Sequence, residues 1–599
     1  MKKIVILLGV FFSLIGSHQV ISQQLHHLEP YELIERQYID LEHTKAFASI
    51  QIQDFQGRIK PVHTLSLELL RKIYGKSTFT YLNKDQNKKK LTPTQVFLGM
   101  QFKPDSWQLL PFIKISDKIA SELENEFEIE DNKYIAPAQF FDFNGAYKIK
   151  KFVDLAYAKE PGKRTLFDKE IIKVDERLNI VWGIFNGQFL RIFPNKNDPE
   201  NKWFAPSPAN MNFPAEDSLF FKKIIPNYLL QLEDGVTSGD WNKANQTVAL
   251  LKGFQQQNGT EVLLSDRKVE LEIWYNNFSF FLICLIAYTV FGVILLFLSL
   301  FKIFKPEKSK MDSVLKVTWL FLVVTFCLHA LGIGLRWYIS GHAPWSNGYE
   351  ATVFIAWVGM LAGLLFTKNS YIVPSVAAIM AFCLLGIAQG SLMNPEITNL
   401  VPVLKSYWLL IHVAVITGSY GFLALGSLLA FITLLLLSAT YFVQKPDTIK
   451  NTIYQLTNIN QLTSTLGLYL LTIGTFLGGI WANESWGRYW GWDPKETWAL
   501  ISIIIYSFVL HIRIIIPKNY TYIYNVCSLF AIGSILMTFF GVNYYLSGLH
   551  SYAKGDSFPI PDAVYVGLFV TLGVSILPKI LAILNKRKVQ KFDLAKASL

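Results

Sequence analysis

The chain has 599 residues, half of them apolar, and a formal net charge of +11. That length allows several domains, and the positive charge lies mostly in short loops between long apolar runs, where it reports membrane orientation before any nucleic-acid partner. Its four cysteines, Cys284, Cys327, Cys383 and Cys527, all fall inside apolar runs and form no CxxC pair, which excludes a disulfide framework and thiol–disulfide chemistry and leaves small core residues as the simpler reading.

Lys2 and Lys3 precede the apolar run Ile4–Ile15, which is short for a membrane span, and Val20-Ile21-Ser22 follows. This is a secretory signal pattern over residues 1–22, with an uncleaved anchor as the alternative; in both cases the next segment lies outside the cytoplasm. Residues 23–277 read as a polar, mixed α+β extracytoplasmic domain. Ala48, Ile50 and Ile52 alternate with polar residues as in a half-buried strand, Asp54–Gly57 reads as a turn, and Leu65–Ile73 as a helix. Lys84–Lys90 reads as a basic loop, Ser121–Asp131 as a solvated acidic stretch and Pro194–Pro214 as a long loop. Helices are expected at about 240–257 and 266–277. No catalytic constellation is visible here, and His43 and His63 read as surface or structural.

Nine apolar runs follow, at about 278–301, 314–336, 349–366, 370–390, 407–443, 463–481, 497–516, 523–546 and 562–584. Each is near or above the ~20 residues that cross a bilayer. The first links the outer domain to the rest, so the fold class is mainly α, a polytopic membrane bundle carrying an N-terminal mixed domain. Lysine and arginine follow alternate runs: Lys302, Lys305, Lys308 and Lys310; Lys368; Lys445 and Lys450; Arg513 and Lys518; Lys586, Arg587, Lys588 and Lys591. Those loops are expected to be cytoplasmic, and residues 340–350, 481–498 and 547–553 to lie outside. Asn347 and Glu350 have capping-box spacing, so Glu350 reads as structural.

The stretch 481–498, WANESWGRYWGWDPKETW, holds Trp481, Trp486, Trp490, Trp492 and Trp498 with Tyr489 and the charges Arg488, Asp493, Lys495 and Glu496. Tryptophans gather at membrane interfaces in any case, but a belt needs only one or two per helix end. A shelf this dense suits a large planar ligand with acidic groups, stacked on indoles and met by Arg488 or Lys495. Asp493, Pro494 and Glu496 are equally a helix start, so either role fits the two carboxylates.

WGRYWGWDPKETWAL resembles the tryptophan-rich "WWD" signature of haem-handling proteins in cytochrome c maturation. SYWLLIHVAVITGSYGFLAL (Ser406–Leu425) and GVNYYLSGLHSYA (Gly541–Ala553) resemble the histidine segments of the CcsA/ResC protein of System II. The likeness covers roughly Ser313–Lys586, within a CcsA-like domain of residues 302–599. More weakly, Phe47–Ile73 and Val269–Phe281 resemble the outer portion of its CcsB/ResB partner, which would make the chain a partial fusion lacking the partner's early helices.

A histidine within a membrane run is a functional hypothesis by default, and neutral imidazole is a good iron ligand. His412 and His550 sit on the side of the tryptophan stretch; alone, either could be a hydrogen-bonded interface histidine. The resemblance implies that they are axial ligands of haem, facing one cavity lined by Trp486, Trp490 and Trp492, with Arg488 and Asp493 also in contact. It implies further that His511, in VLHIR, takes haem from the cytoplasmic side of the membrane. His329 lies ~15 Å from His511 in depth, too far for ordinary tilt to bring them onto one iron. A separate CcsB/ResB-like membrane protein is therefore expected to supply the second ligand of His511. Whether His329 or His342 touches haem is open at this stage.

The implied reaction adds the thiols of a CxxCH apocytochrome to the vinyl groups of haem b, the substrate, at the outer face of a bacterial cytoplasmic membrane. Thiol reductant proteins are further expected partners, and the chain, with no CxxCH, is not itself a c-type cytochrome. A System I haem-export subunit and a non-catalytic assembly scaffold are the competing readings. A solute transporter lacks support, as no inverted repeat is visible.

Overall fold

A computed structural model of the chain describes residues 29–584, except residues 117–118, 120–122, 124–132, 197, 207–214, 260–261, 305–309, 369, 391–392, 401–404, 444–446 and 547–559. The expected signal segment, much of the acidic stretch, His550 and the basic residues 586–591 lie outside the described residues. The chain divides into two units, residues 1–277 and 278–599.

The first unit is mainly helical: α1 (Pro30–Glu35), α2 (Leu41–Ala48), α3 (Val62–Tyr74), α4 (Pro93–Phe102), α5 (Pro104–Gln108), α6 (Lys150–Ala158), α7 (Leu166–Phe185), α8 (Ala215–Ser238), α9 (Asn242–Asn258) and α10 (Asp266–Phe278). Four antiparallel ribbons complete it, pairing β1 (Gln51–Gln53) with β2 (Ile59–Pro61), β3 (Phe79–Leu82) with β4 (Lys88–Leu91), β5 (Ile113–Lys114) with β6 (Tyr134–Ile135), and β7 (Phe193–Pro194) with β8 (Trp203–Phe204). Local chemistry sets the boundaries. Asp40 caps α2, Thr92 and Gln95 form a reciprocal capping box at α4, Thr165 and Asp168 do so at α7, and Gly75 ends α3 with φ +79°.

Several sequence expectations shift. Ala48 closes a helix, and the strand starts at Gln51. Its glutamines are buried, because their amides bond backbone on neighbouring segments: Gln51 to both backbone groups of Leu264, Gln53 to Asn201 O and Trp203 N. The basic loop is in part strand β4, with the turn confined to residues 83–87. His43 is not a surface residue: its two nitrogens meet Asn245 Oδ1 at 2.7 Å and the Tyr228 hydroxyl at 2.8 Å, and its ring stacks on Trp241. His63 is buried as well. Glu272 of α10, fully buried, accepts from Arg58 at 2.8 Å and from Thr64 at 2.9 Å.

The second unit is a helix bundle of α11 (Phe280–Phe304), α12 (Lys310–Ser340), α13 (Gly348–Leu365), α14 (Ile372–Gln389), α15 (Tyr407–Ala439), α16 (Asp447–Trp486), α17 (Pro494–Ile515), α18 (Tyr520–Leu536), α19 (Val542–Tyr545) and α20 (Asp562–Leu584). Among the described residues nine helical segments are long and apolar enough to cross a membrane, one for each expected run. The chain is a multi-pass membrane protein.

The sixth span departs from its expected bounds. Helix α16 runs 40 residues, about 60 Å, and starts well before residue 463. The added turns are polar yet partly buried. Asn460 Nδ2 donates to Asn525 Oδ1 of α18 at 3.2 Å, Asn525 Nδ2 donates to Thr457 Oγ1 at 3.0 Å, and Ser528 Oγ donates to Asn460 Oδ1 at 3.1 Å. This side-chain ladder satisfies polar groups that hydropathy alone reads as outside the membrane run. Between α18 and α19 one π-helical turn, Met537–Gly541, alters the helix phase just ahead of residues 547–559.

Candidate functional site

Helices α15 and α16 pack along a seam of glycines. A Cβ at Gly474 would lie 3.0–3.1 Å from Ile416, and one at Gly478 would lie 2.6 Å from Cε1 of His412. This is small-xxx-small packing, which lets two membrane helices approach closely. His412, in the second turn of α15, fills the approach. Its Nδ1 donates to the Gly474 carbonyl at 2.6 Å. A carbonyl can only accept, so Nδ1 carries the proton and the neutral ring keeps its lone pair on Nε2. That is the tautomer a metal-ligating histidine needs, held by a backbone partner.

The tryptophan stretch reaches the same place. Helix α16 continues through Trp486 and α17 begins at Pro494, so the expected loop of 481–498 contracts to residues 487–493. Gly487, with φ +70°, ends α16 and donates its N–H to Asn483 O at 2.9 Å. The loop then folds back, and the Tyr489 carbonyl lies 3.1 Å from where a Cβ at Gly479 would stand. Consecutive glycines thus seat His412 on one side and the loop on the other.

Within the loop the aromatic residues divide. Trp481 is wholly buried and meets Trp486 edge-on, with ring centres 4.7 Å apart. Trp490 and Trp492 stand perpendicular at 6.0 Å. Trp492 is 74% exposed and adopts φ +56°, a left-handed backbone that a bulky residue rarely takes. Arg488 is exposed, with its guanidinium folded over Gly491.

The two carboxylates serve the helix start. Asp493 is the buried N-cap of α17 and accepts from Lys495 N, while Glu496 Oε2 accepts from Gly491 N at 2.8 Å and Asp493 N at 3.2 Å. Together they hold the loop in shape under the exposed rings. Asp493 therefore has a geometry that explains it without a ligand.

The remaining histidines separate. His329 is fully buried, edge-on to Phe281 at 5.6 Å and with Nδ1 3.4 Å from the Tyr288 hydroxyl. It is packed on all sides. His342 places Nε2 3.0 Å from Thr398 O and Nδ1 3.2 Å from Ala343 O, tying its loop to the segment after α14. His511 is exposed on α17, with Nδ1 2.7 Å from Ser507 O. Ile504, Phe508 and Ile515 share its exposed stripe.

The sequence pattern missed an ion pair near the same end of the bundle. Arg336 Nε donates to Glu350 Oε1 at 2.7 Å, both residues are buried, and Arg336 also binds the carbonyls of Pro395 and Glu396. Asn347 caps α13 as expected, but the Glu350 carboxylate turns to Ser346 and Arg336 instead of closing a capping box. The one signal for it was an arginine near the end of an otherwise apolar run.

Residues 345–550 match the sequence model of the family described as cytochrome C assembly protein. The chain is 40% identical over 542 residues to Protein NrfI of Wolinella succinogenes, an alignment covering 90% of this chain and 57% of NrfI. It is 36% identical to the cytochrome c biogenesis protein CcsA of Guillardia theta over 37% of this chain and 80% of that protein. It is 34% identical to CcsA of Prochlorococcus marinus strain NATL2A over 46% of this chain and 96% of that protein. The chain thus spans little more than half of NrfI but carries nearly a whole CcsA.

Proposed function

We propose that the chain, which belongs to the family of CcsA-type cytochrome c assembly proteins, acts in c-type cytochrome biogenesis by presenting haem b, its substrate, at the bundle end formed by His412 and the loop 487–493, for covalent attachment to apocytochromes. The observation that carries this is the seating of His412 between Gly474 and Gly478, with Nε2 as its lone-pair nitrogen and the tryptophan loop against the next glycine. His550 is the proposed opposite axial ligand. Trp486, Trp490 and Trp492 supply ring faces, and Arg488 a cation for a propionate.

In the attachment step each CxxCH thiol adds across one haem vinyl. Sulfur bonds the carbon next to the ring, and the thiol proton ends on the terminal carbon. No external oxidant or reductant is consumed. The chain's own task is positioning, with ring and iron held so that the vinyls are exposed to the cysteines. The CxxCH histidine replaces one axial histidine and loosens the product.

His511 supports a second part of the reading, haem received at the other end of the bundle. Its ring lies on an exposed apolar stripe of α17, while His329 is sealed among α11 and α12 side chains. A separate CcsB/ResB-like membrane protein that covers this stripe would complete the ligand set. In this reading the first unit and the loop 487–493 face the periplasm, across a bacterial cytoplasmic membrane.

Coexpression with a CxxCH apocytochrome in cells lacking other cytochrome c assembly proteins tests the proposal. The chain with its partner should yield thioether-linked haem that survives denaturing gels, and His412→Ala should abolish it. Undiminished attachment in that variant would remove His412 from the account.

A further inference from the structure

We infer that Arg336 and Glu350 are positioning residues for the haem site, acting through Trp345 on the first turn of α15, just ahead of His412. The inference rests on the reading of His412 as a haem ligand.

The contacts form one unbroken line. Arg336, at the end of α12, is held by the Pro395 and Glu396 carbonyls as well as by Glu350. Tyr349 lies under its guanidinium, with the ring centre at 5.1 Å. Glu350 spends its other oxygen on Ser346, accepting from N at 2.9 Å and from Oγ at 2.8 Å. That fixes the backbone of the residue after Trp345. The Trp345 indole N–H then donates to Leu410 O of α15 at 3.1 Å, two residues before His412. Trp337 and Phe354 pack on its ring at 5.4 and 4.9 Å, so the indole has little freedom to turn.

Two features argue for positioning over mere packing. A buried charge pair is a poor source of stability compared with apolar side chains of similar size, but its geometry is sharply directional. Here Arg336 Nε and Glu350 Oε1 meet each other, the second Glu350 oxygen holds Ser346 beside Trp345, and the other two Arg336 nitrogens hold the Pro395 and Glu396 carbonyls in the segment ahead of α15. In addition, the Leu410 carbonyl lies in the first turn of α15, where a helix frays most readily, and an outside donor holds that turn in place. A ligand ring must be held to within about 0.5 Å to keep its bond to iron. His412 is thus steadied at its ring by the Gly474 carbonyl and, two residues earlier in the helix, by the Trp345 bond to the Leu410 carbonyl.

The test uses the full-length protein in detergent, titrated with haem and read by haem affinity, by the low-spin fraction in the visible spectrum and by melting temperature. Trp345→Phe keeps the ring and removes the donor. It should weaken haem binding about tenfold and raise the high-spin fraction while the melting temperature holds. Glu350→Gln should shift the spectrum in the same direction, and the double variant should be no worse than the weaker single one. His412→Ala serves as the reference. If it binds haem as the wild type does, the ligand reading fails. If it loses haem while Trp345→Phe and Glu350→Gln match the wild type, or if the two effects simply add, the positioning route is overturned. Should Glu350→Gln fail to fold, Trp345→Phe alone decides.

Discussion

At Gly478 a single methyl group separates two outcomes. A Cβ there would stand 2.6 Å from the His412 ring, against a side chain already fixed by the Gly474 carbonyl. Gly478→Ala should leave the helix intact, since alanine is the better helix former by about 1 kcal/mol. The ring should be pushed aside, with at least a tenfold drop in bound haem at unchanged protein yield. Equal haem-to-protein ratios in the two proteins would show that the ring has another place to go. Trp492 gives the opposite balance. Its left-handed backbone costs about 1–2 kcal/mol that glycine would not incur. Trp492→Gly should therefore hold or raise the melting temperature while weakening haem binding, and unchanged binding would mean that the exposed indole is not part of the shelf.

The first unit carries a pH signature at the same scale. Burial pushes the His63 imidazole down to about 4, with Arg71 adding to the effect and Asn277 opposing it. The folded state binds its proton less well than the unfolded chain, whose value is about 6.5. The stability concerned is complete above pH ~6.5 and is lost as pH falls towards ~4, by roughly 3 kcal/mol at most. Hydrogen exchange of α3 in the intact protein should quicken over that window, and His63→Gln should flatten the dependence. A slope unaltered by His63→Gln would assign it elsewhere.

Among elements, the seam between α16 and α18 shows what polar residues contribute inside a bundle. Asn525 joins Asn460 and Thr457 and donates as well to its own helix at Thr521 O. Asn525→Leu removes one bond each from Asn460 Nδ2 and Thr457 Oγ1 and should destabilise the bundle by ~2 kcal/mol, at ~1 kcal/mol per bond lost within a membrane. Unfolding of the purified protein in graded denaturing detergent measures this. A variant as stable as the wild type would show that water or a relaxed rotamer replaces the bonds.

This seam also marks where reading the sequence falls short. Apolar runs located each of the nine spans found among the described residues because hydropathy is a local property. The polar start of α16 was invisible, since its burial depends on Asn525 and Ser528, 65–68 residues further along. Similarly, α7 and α8 escaped notice because their apolar faces serve a core assembled from distant segments. His412 and the tryptophans stood out by residue type and number. Gly474, Gly478 and Gly479, which seat them, carried only the weak signal of GTFLGG. The Arg336–Glu350 pair needed two loops to meet before its purpose could be read.

Over the whole molecule, the two units divide the work between a helical domain pinned by buried ion pairs and a bundle whose glycine seam presents one histidine beside an aromatic loop. The likeness to NrfI covers 90% of this chain, and that to the two CcsA proteins 37% and 46% of it. The residues matched by the family model, 345–550, include His412 and the loop 487–493. The central claim is that this region binds haem through His412. It is tested most directly by the visible spectrum of the full-length protein, purified with its CcsB/ResB-like partner, in the wild type, His412→Ala and His511→Ala. The wild type should show low-spin, histidine-ligated haem. His412→Ala should lose the haem at the loop and keep that at His511, and His511→Ala should do the reverse. A spectrum that His412→Ala leaves unchanged in intensity and shape would contradict the account.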